Sequence, residues 1–124
     1  MKSKKTMKCR KGYERIEYRI DSGTQENIAL MLHDARILAV KISGREFGIK
    51  DVEIDLDSRG AMSSARRLIL GACSILHMDS LENCWWMGES IQKSSSGFCI
   101  DAECISEQDD ARRLEVVCQR IVLE

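Results

Sequence analysis

The sequence predicts an α+β fold, with strands in the first half, one dominant buried helix in the middle and two further strands at the end. Three observations support this prediction. Short runs that alternate between apolar and charged residues occupy positions 13–57, and alternation favours half-buried strands. A run that is apolar on nearly every side follows at 68–78 and favours a helix that is buried on most faces. The segments 98–105 and 114–123 are again strand-like.

The first half of the chain contains three predicted strands. Residues 13–20 alternate and end at the turn signal Asp21-Ser22-Gly23. Residues 37–42 are apolar apart from one lysine and form a strand that closes at a Ser-Gly pair. Residues 51–57 alternate cleanly between apolar and acidic side chains. Between these strands, residues 27–33 fit either a strand or a short helix.

Four carboxylates form one face of the strand predicted at 51–57. Neighbours on one strand face lie about 7 Å apart, and no glycine-bracketed loop would curl these side chains around a cation. We therefore predict a solvated acidic face, or one that pairs with Arg15 and Arg19 of another strand. No metal site is predicted here.

The central helix has sequence signals for its start and for its packing. Ser63 or Ser64 can cap its N-terminus, and the apolar character continues toward the tryptophan pair at 85–86. An Asp-x-x-Glu pattern at 79–82 predicts a break near residue 78 and a restart. Gly71-Ala72 at the centre permits a close crossing by another helix, which in so small a domain can come from a second subunit.

A thiol and an imidazole lie four residues apart in this predicted helix. Positions i and i+4 share one helix face, and helical side chains lean toward the N-terminus, so His77 would lean toward Cys73. A neighbouring imidazolium lowers a cysteine pKa, and the thiolate is the nucleophile. The alternative is a buried helix in which Cys73 acts as a small hydrophobic side chain, because free cysteine is among the most buried residue types.

Composition and charge exclude several classes of protein. The chain has 124 residues, of which 31% are charged and 44% hydrophobic, as in an ordinary globular protein, and we predict one domain over 13–124. A net charge of −1 argues against a protein whose whole surface binds nucleic acid. No apolar run reaches the roughly 18 residues that a membrane span needs, and no signal peptide is visible. These features predict a cytoplasmic protein that does not bind membranes.

The cysteines and the basic N-terminus give two further expectations. Six cysteines without a secretory signal predict reduced thiols, and because no CxxC motif occurs, neither a zinc site nor a cofactor is predicted. Six of the first eleven residues are basic, which predicts a solvated, disordered arm at 1–12. Contact between this arm and nucleic acid is a minor interpretation, which salt-sensitive binding would reveal.

One stretch resembles a known family. The run SARRLILGACS at 64–74 resembles the central-helix signature of the OsmC/Ohr family, in which a leucine-rich helix carries LGAC. The segments FCIDAE at 98–103 and ARRLEVV at 111–117 resemble the family's following β-hairpin. The resemblance implies an OsmC-like α+β fold, in which antiparallel sheets wrap around central helices and two chains intertwine as a homodimer.

The same resemblance implies thiol-dependent reduction of organic hydroperoxides. Cys73 matches the peroxidatic cysteine, which attacks the peroxide oxygen and becomes a sulfenic acid that a second thiol resolves. His77 or an arginine would stabilise the thiolate, and resolution would need Cys84, another subunit's cysteine or a small thiol. The candidate arginines, chosen on position alone, are Arg15, Arg19 and Arg59.

A second hypothesis is a non-catalytic, dimeric binding or assembly module of the same fold. It would lack the resolving cysteine, and a buried pocket between its subunits would hold an apolar ligand in place of a hydroperoxide. The reactivity of Cys73 separates the two hypotheses, since a thiolate with a lowered pKa belongs only to the first.

Overall fold

The computed structural model describes residues 15–20 and 27–124, which form eight antiparallel strands. A single 3-10 turn at Glu46–Gly48 is the helical structure within these residues. The strands are β1 (Ile16–Arg19), β2 (Arg36–Gly44), β3 (Lys50–Asp57), β4 (Arg67–Met78), β5 (Trp85–Ser94), β6 (Gly97–Ile105), β7 (Ala111–Cys118) and β8 (Arg120–Leu123).

The eight strands belong to one continuous sheet, and β4 takes part in both of its layers, which we call the two sheets. Its first half pairs with β8 on one side and β3 on the other, which gives the order β1-β8-β4-β3-β2. Its second half pairs with β7, and β6 and β5 follow. The outermost strands, β2 and β5, meet at Arg36 and Trp85, so that the sheet closes on itself.

The predicted α+β fold with a buried central helix is wrong. The segment expected to be that helix contains β4, a loop and the start of β5. Apolar side chains stand on both faces of β4: Leu68 and Leu70 are buried between the sheets, Ile69 is half-buried on the outer face, and Leu76 is 62% exposed. A strand that is apolar on both faces has no two-residue period, so its pattern resembles that of a buried helix.

Gly71 and Ala72 bend β4 from one sheet into the other. Ala72 has a left-handed backbone with φ of 54°, and its N–H donates to Asp51 Oδ1 at 2.9 Å. The pairing of β4 with β3 slips by one residue here. Opposite the bend, Gln119 separates β7 from β8 and donates its backbone N–H to the Gly71 carbonyl at 3.0 Å. Bulges of this kind let one strand serve two sheets that cross at a corner.

Replacing Ala72 by glycine should stabilise the fold by about 1 kcal/mol, because a side chain with a Cβ is strained in the left-handed region and glycine is not. Urea denaturation of the wild type and the variant measures the difference. Ala111→Gly is the matched control, since Ala111 is exposed in β7 without a positive φ. Ala111→Gly should lower the free energy of unfolding by about 0.5–1 kcal/mol. A loss of similar size in Ala72→Gly would contradict the strain at the bend.

The core lies between the two sheets. Trp86 and Phe98 are its largest fully buried side chains, and Ile54 and Leu68 are also fully buried. Strands predicted at 37–42, 51–57 and 98–105 are confirmed, and the segment 114–123 is strand on both sides of a break at Gln119. Residues 27–33 form neither predicted element. The predicted arm at 1–12 and the turn at 21–23 lie outside the described residues.

The acidic face of β3 is neutralised by basic side chains other than those predicted. Arg15 and Arg19 both bind Glu17 of their own strand instead. The shortest pair on the acidic face joins Arg59 to Asp57 through hydrogen bonds of 2.9 and 2.6 Å, and these lower the pKa of Asp57 to about 2. The other pairs are Arg45 with Asp51, Arg67 with Glu53 and Asp55, and Lys41 with Asp55.

Candidate functional site

Cys73 and His77 do not form the predicted pair. In a strand, four residues span about 13 Å, whereas a helix would stack the two side chains. Cys73 is fully buried, and its thiol donates to the Leu70 carbonyl at 3.0 Å. His77 is exposed, with its Nε2 2.9 Å from Asp79 Oδ1. The imidazole therefore has no contact through which it could hold a Cys73 thiolate.

The structure brings Cys118 beside Cys73 instead. Cys118 ends β7 and is fully buried. Its hydrogen-bonding contact with Cys73, together with burial, raises the pKa of Cys118 far above that of a free thiol. The pKa of Arg45 is raised mainly by its hydrogen bond to Asp51 and, more weakly, by the Cys73 sulfur. Local sequence held no signal for this pair, because it depends on how β4 pairs with β7.

A second pair of buried thiols lies near the junction of β2 and β5. Burial raises the pKa of Cys84, and it raises the pKa of Cys104 to about 12, with Cys84 as a further cause. Cys84 was a candidate resolving thiol, but the structure brings it together with Cys104. Both sulfurs are protonated at neutral pH, so neither is prepared for nucleophilic attack.

These placements predict which thiol of the folded protein reacts with iodoacetamide. Cys99 is partly exposed in β6, whereas Cys73, Cys84, Cys104 and Cys118 are buried. Among these five cysteines, Cys99 should be alkylated first and the others only after unfolding, as followed by mass spectrometry. Cys99→Ser should remove that fast reaction. Rapid modification of Cys73 in the native state would contradict the burial of its sulfur.

One edge of β2 is open. Hydrogen bonds between the β2 and β5 regions end at Ile37, and within the described residues the positions 38–44 pair only with β3. Leu38 and Ile42 are 50% and 49% exposed along this stretch, and Phe47 at the tip of the β2–β3 hairpin is 94% exposed. We call Leu38, Ile42 and Phe47 the edge strip. Exposed apolar side chains beside an unpaired strand edge form a surface for added β-structure.

A groove of about 610 Å³ opens at the Leu38 end of the edge strip. Leu38, Leu56, Ala61 and Met62 supply its apolar lining, and Met62 is 84% exposed. Its remaining lining is polar and comes mostly from the loop between β3 and β4. The volume is within the range of pockets that hold an organic side chain or a small ligand.

The turn that carries Phe47 explains why its ring is in solvent. Phe47 has φ of 61° and Gly48 has φ of 75°, so two consecutive residues are left-handed. Glycine adopts this region freely, whereas a phenylalanine there is strained and gains no burial in return. Strained residues of this kind are concentrated at functional surfaces.

The comparisons with known proteins give no identification. No family model, curated protein or solved structure matches the chain. Across residues 15–20 and 27–124, no helix is long and apolar enough to cross a membrane. The same residues contain no cluster of three His, Cys, Asp or Glu side chains that could hold a metal ion. The fold and surface thus define an antiparallel two-sheet domain with an open apolar edge.

Proposed function

We propose that this chain is a non-catalytic binding module that accepts an extended segment of a partner protein along the open edge of β2. The observation that supports the proposal is that the edge strip coincides with a strand edge that has no partner among residues 15–20 and 27–124. Proteins usually protect such edges with charges, proline or a covering loop. An added strand would satisfy the free backbone groups, and pockets beside the edge would select its side chains.

The side chains of β2 indicate which side chains the partner segment carries. Val40 and Ile42 face the core side but are only partly covered, so apolar side chains at alternate positions of an added strand would pack against them. On the other face, Lys41 lies 3.5 Å from Asp55 and is 61% exposed. An acidic side chain on the added strand would complement Lys41. The partner segment therefore alternates apolar and polar residues and carries a carboxylate on its outer face.

The buried thiols favour a non-catalytic role in the cytoplasm. The five described cysteines are free, as is usual for a protein in a reducing compartment. Four of them are buried, and burial raises the pKa of Cys84 and Cys104, while the contact with Cys73 together with burial raises the pKa of Cys118. Their place in the core is that of small hydrophobic side chains.

A peptide-display selection on the immobilised chain tests the proposal. Selected peptides should share an alternating apolar pattern and bind with micromolar affinity, and Leu38→Lys and Ile42→Lys should each weaken that binding at least tenfold. Leu76→Lys is the matched control, because Leu76 is 62% exposed on β4 outside the edge strip. Circular dichroism shows whether each variant is folded.

Two outcomes would overturn the proposed partner. Selected peptides that bind Ile42→Lys and Leu76→Lys equally well would place the binding surface elsewhere. A concentration-dependent dimer that Ile42→Lys dissolves would show that a second copy of the chain occupies the edge, in agreement with the homodimer expected from the sequence. Light scattering after size-exclusion chromatography distinguishes this case.

Hydroperoxide reduction is a second candidate function, favoured by the contact between Cys73 and Cys118. A Cys73 thiolate would attack one peroxide oxygen, which releases the alcohol and leaves a sulfenic acid. Cys118 would then condense with it to a disulfide, with loss of water. Treatment with tert-butyl hydroperoxide should in that case produce a Cys73–Cys118 disulfide in the native protein, which mass spectrometry detects. An unchanged pair of thiols would exclude this function.

A further inference from the structure

A basic cleft of about 230 Å³ lies at the corner where β4 bends from one sheet to the other. Arg19 at the end of β1, Arg45 before the β2–β3 turn and Arg120 at the start of β8 all line it, together with Gln119. Its floor is the backbone of Gly71 and Ala72. We call it the corner cleft. It lies apart from the groove beside Leu38, and the two have no lining residue in common.

Arg120 lies flat over the glycine of the floor. A Cβ on Gly71 would be 3.3 Å from the Arg120 Cβ and 3.7 Å from its Nη1. The Arg120 Nε is buried and approaches Glu17 Oε2 at 3.2 Å, but it makes no well-formed hydrogen bond. Within the described part of the chain, its two terminal amino groups have no hydrogen-bond partner. This guanidinium therefore has donors available at the cleft.

Arg45 also lines the cleft and is held in place by Asp51. Its Nε donates to Asp51 Oδ2 at 2.8 Å, while the other oxygen of Asp51 accepts the Ala72 N–H at 2.9 Å. The hydrogen bond from Arg45 is the main cause that lowers the pKa of Asp51, so the carboxylate remains charged and anchors the guanidinium. The strained backbone at Ala72 thus contributes directly to the position of Arg45.

The charges around the corner cleft favour an anion. Three guanidinium groups line it, and among the described residues the carboxylates of Glu17 and Asp51 contact them. Glu17 itself is enclosed by arginines, with Arg15 and Arg19 at 2.7 and 2.6 Å. A guanidinium presents paired N–H groups that match the oxygens of a phosphate. The small volume suits one such group rather than a large ligand.

We propose that the corner cleft binds a phosphate group, either as the free ion or as a phosphate monoester. Arg120 and Arg45 donate to its oxygens, and the missing Cβ of Gly71 leaves room for the Arg120 guanidinium over the floor. This proposal is independent of the β2 edge, because its residues belong to a different surface.

Calorimetric titration with inorganic phosphate and with phenyl phosphate, at constant ionic strength in chloride, tests the proposal. We expect dissociation constants in the millimolar range or below. Arg120→Gln and Arg45→Gln should each weaken binding at least tenfold. Arg59→Gln is the matched control, since Arg59 is paired with Asp57 and does not line the cleft, and it should bind as the wild type does.

Two further variants separate a binding role from a structural one. Arg120→Lys keeps the charge but not the paired donors. This variant should therefore fold as the wild type does and keep only part of the affinity for phosphate. Gly71→Ala should weaken phosphate binding by displacing the Arg120 side chain. Equal affinity for both ligands would show that the phosphate group alone is recognised, and preference for phenyl phosphate would identify a monoester. If the wild type bound no phosphate at constant ionic strength, the proposal would be overturned. The same holds if Arg59→Gln weakened phosphate binding as much as Arg120→Gln does.

Discussion

Replacing Glu89 by leucine should lower the free energy of unfolding by about 2–4 kcal/mol, because two protein donors would lose their acceptor. Glu89 lies on β5, and its carboxylate joins that strand to the segment around Leu30. Oε1 accepts the indole N–H of the buried Trp86 at 2.8 Å, and Oε2 accepts the backbone N–H of Leu30 at 3.0 Å. A leucine fills similar space but leaves both donors unsatisfied. Chemical denaturation monitored by tryptophan fluorescence measures the loss.

Two variants separate this effect from a general cost of removing a surface acid. Glu103→Leu removes an exposed carboxylate from β6 and should change stability by less than about 0.5 kcal/mol. Glu89→Gln keeps one carbonyl acceptor and should lose roughly half as much as Glu89→Leu. If Glu89→Leu were as stable as Glu103→Leu, the carboxylate would not be the link that holds the segment around Leu30 against β5.

The strands that were predictable from sequence are those with one face in the core and one in solvent. In β3, the buried side chains of Val52, Ile54 and Leu56 alternate with charged ones, and the observed burial follows that alternation. In β6, buried side chains likewise alternate with exposed or half-buried ones over most of the strand, whereas β2 was predicted from a short apolar run that closes at a Ser-Gly pair. Alternating strands can be predicted from local sequence, because their two-residue period does not depend on which strand they pair with.

β4 was not predictable in this way, because its role in the fold is not local. It serves two sheets, and its exposed Leu76 adds an apolar residue where solvent would favour a polar one. Gly71 was the overlooked signal. An isolated glycine within a strand-like run indicates a bulge, and here it marks the bend. Interpreting the run as a helix placed His77 against Cys73, and the strand separates them.

The candidate sites were beyond sequence reasoning for a related reason. The corner cleft collects Arg45, Arg120 and Gly71 from a turn and two strands that are remote in sequence, and strand pairing brings them together. The open edge of β2 exists because β2 and β5 overlap over so few residues. Neither property has a local pattern, so pairings between distant segments had to be known first.

Replacing Gly97 by alanine should lower the free energy of unfolding by about 2–4 kcal/mol, because neither the backbone conformation nor the surroundings of Gly97 accommodate a Cβ. Its φ is 144°, a conformation that side chains rarely adopt, and a Cβ would lie 2.6 Å from the Cys118 carbonyl oxygen and 3.1 Å from Val117 Cγ1. The obstacle includes backbone, so rotation of a side chain cannot relieve it. Thermal and urea denaturation should both show a large loss.

Gly88→Ala is the matched control for this variant. Gly88 also lies in the β5–β6 hairpin, but its φ is not positive and a Cβ there would meet nothing within 4 Å. Alanine at that position should be neutral or slightly stabilising, since glycine in a strand is costly. The Gly97 turn is also tied to the corner, where Gln119 Nε2 donates to the Ser96 carbonyl at 2.6 Å. If Gly97→Ala and Gly88→Ala were equally stable, the hairpin tip would not pack against the junction of β7 and β8, and the wall that Gln119 gives the corner cleft would lose its support.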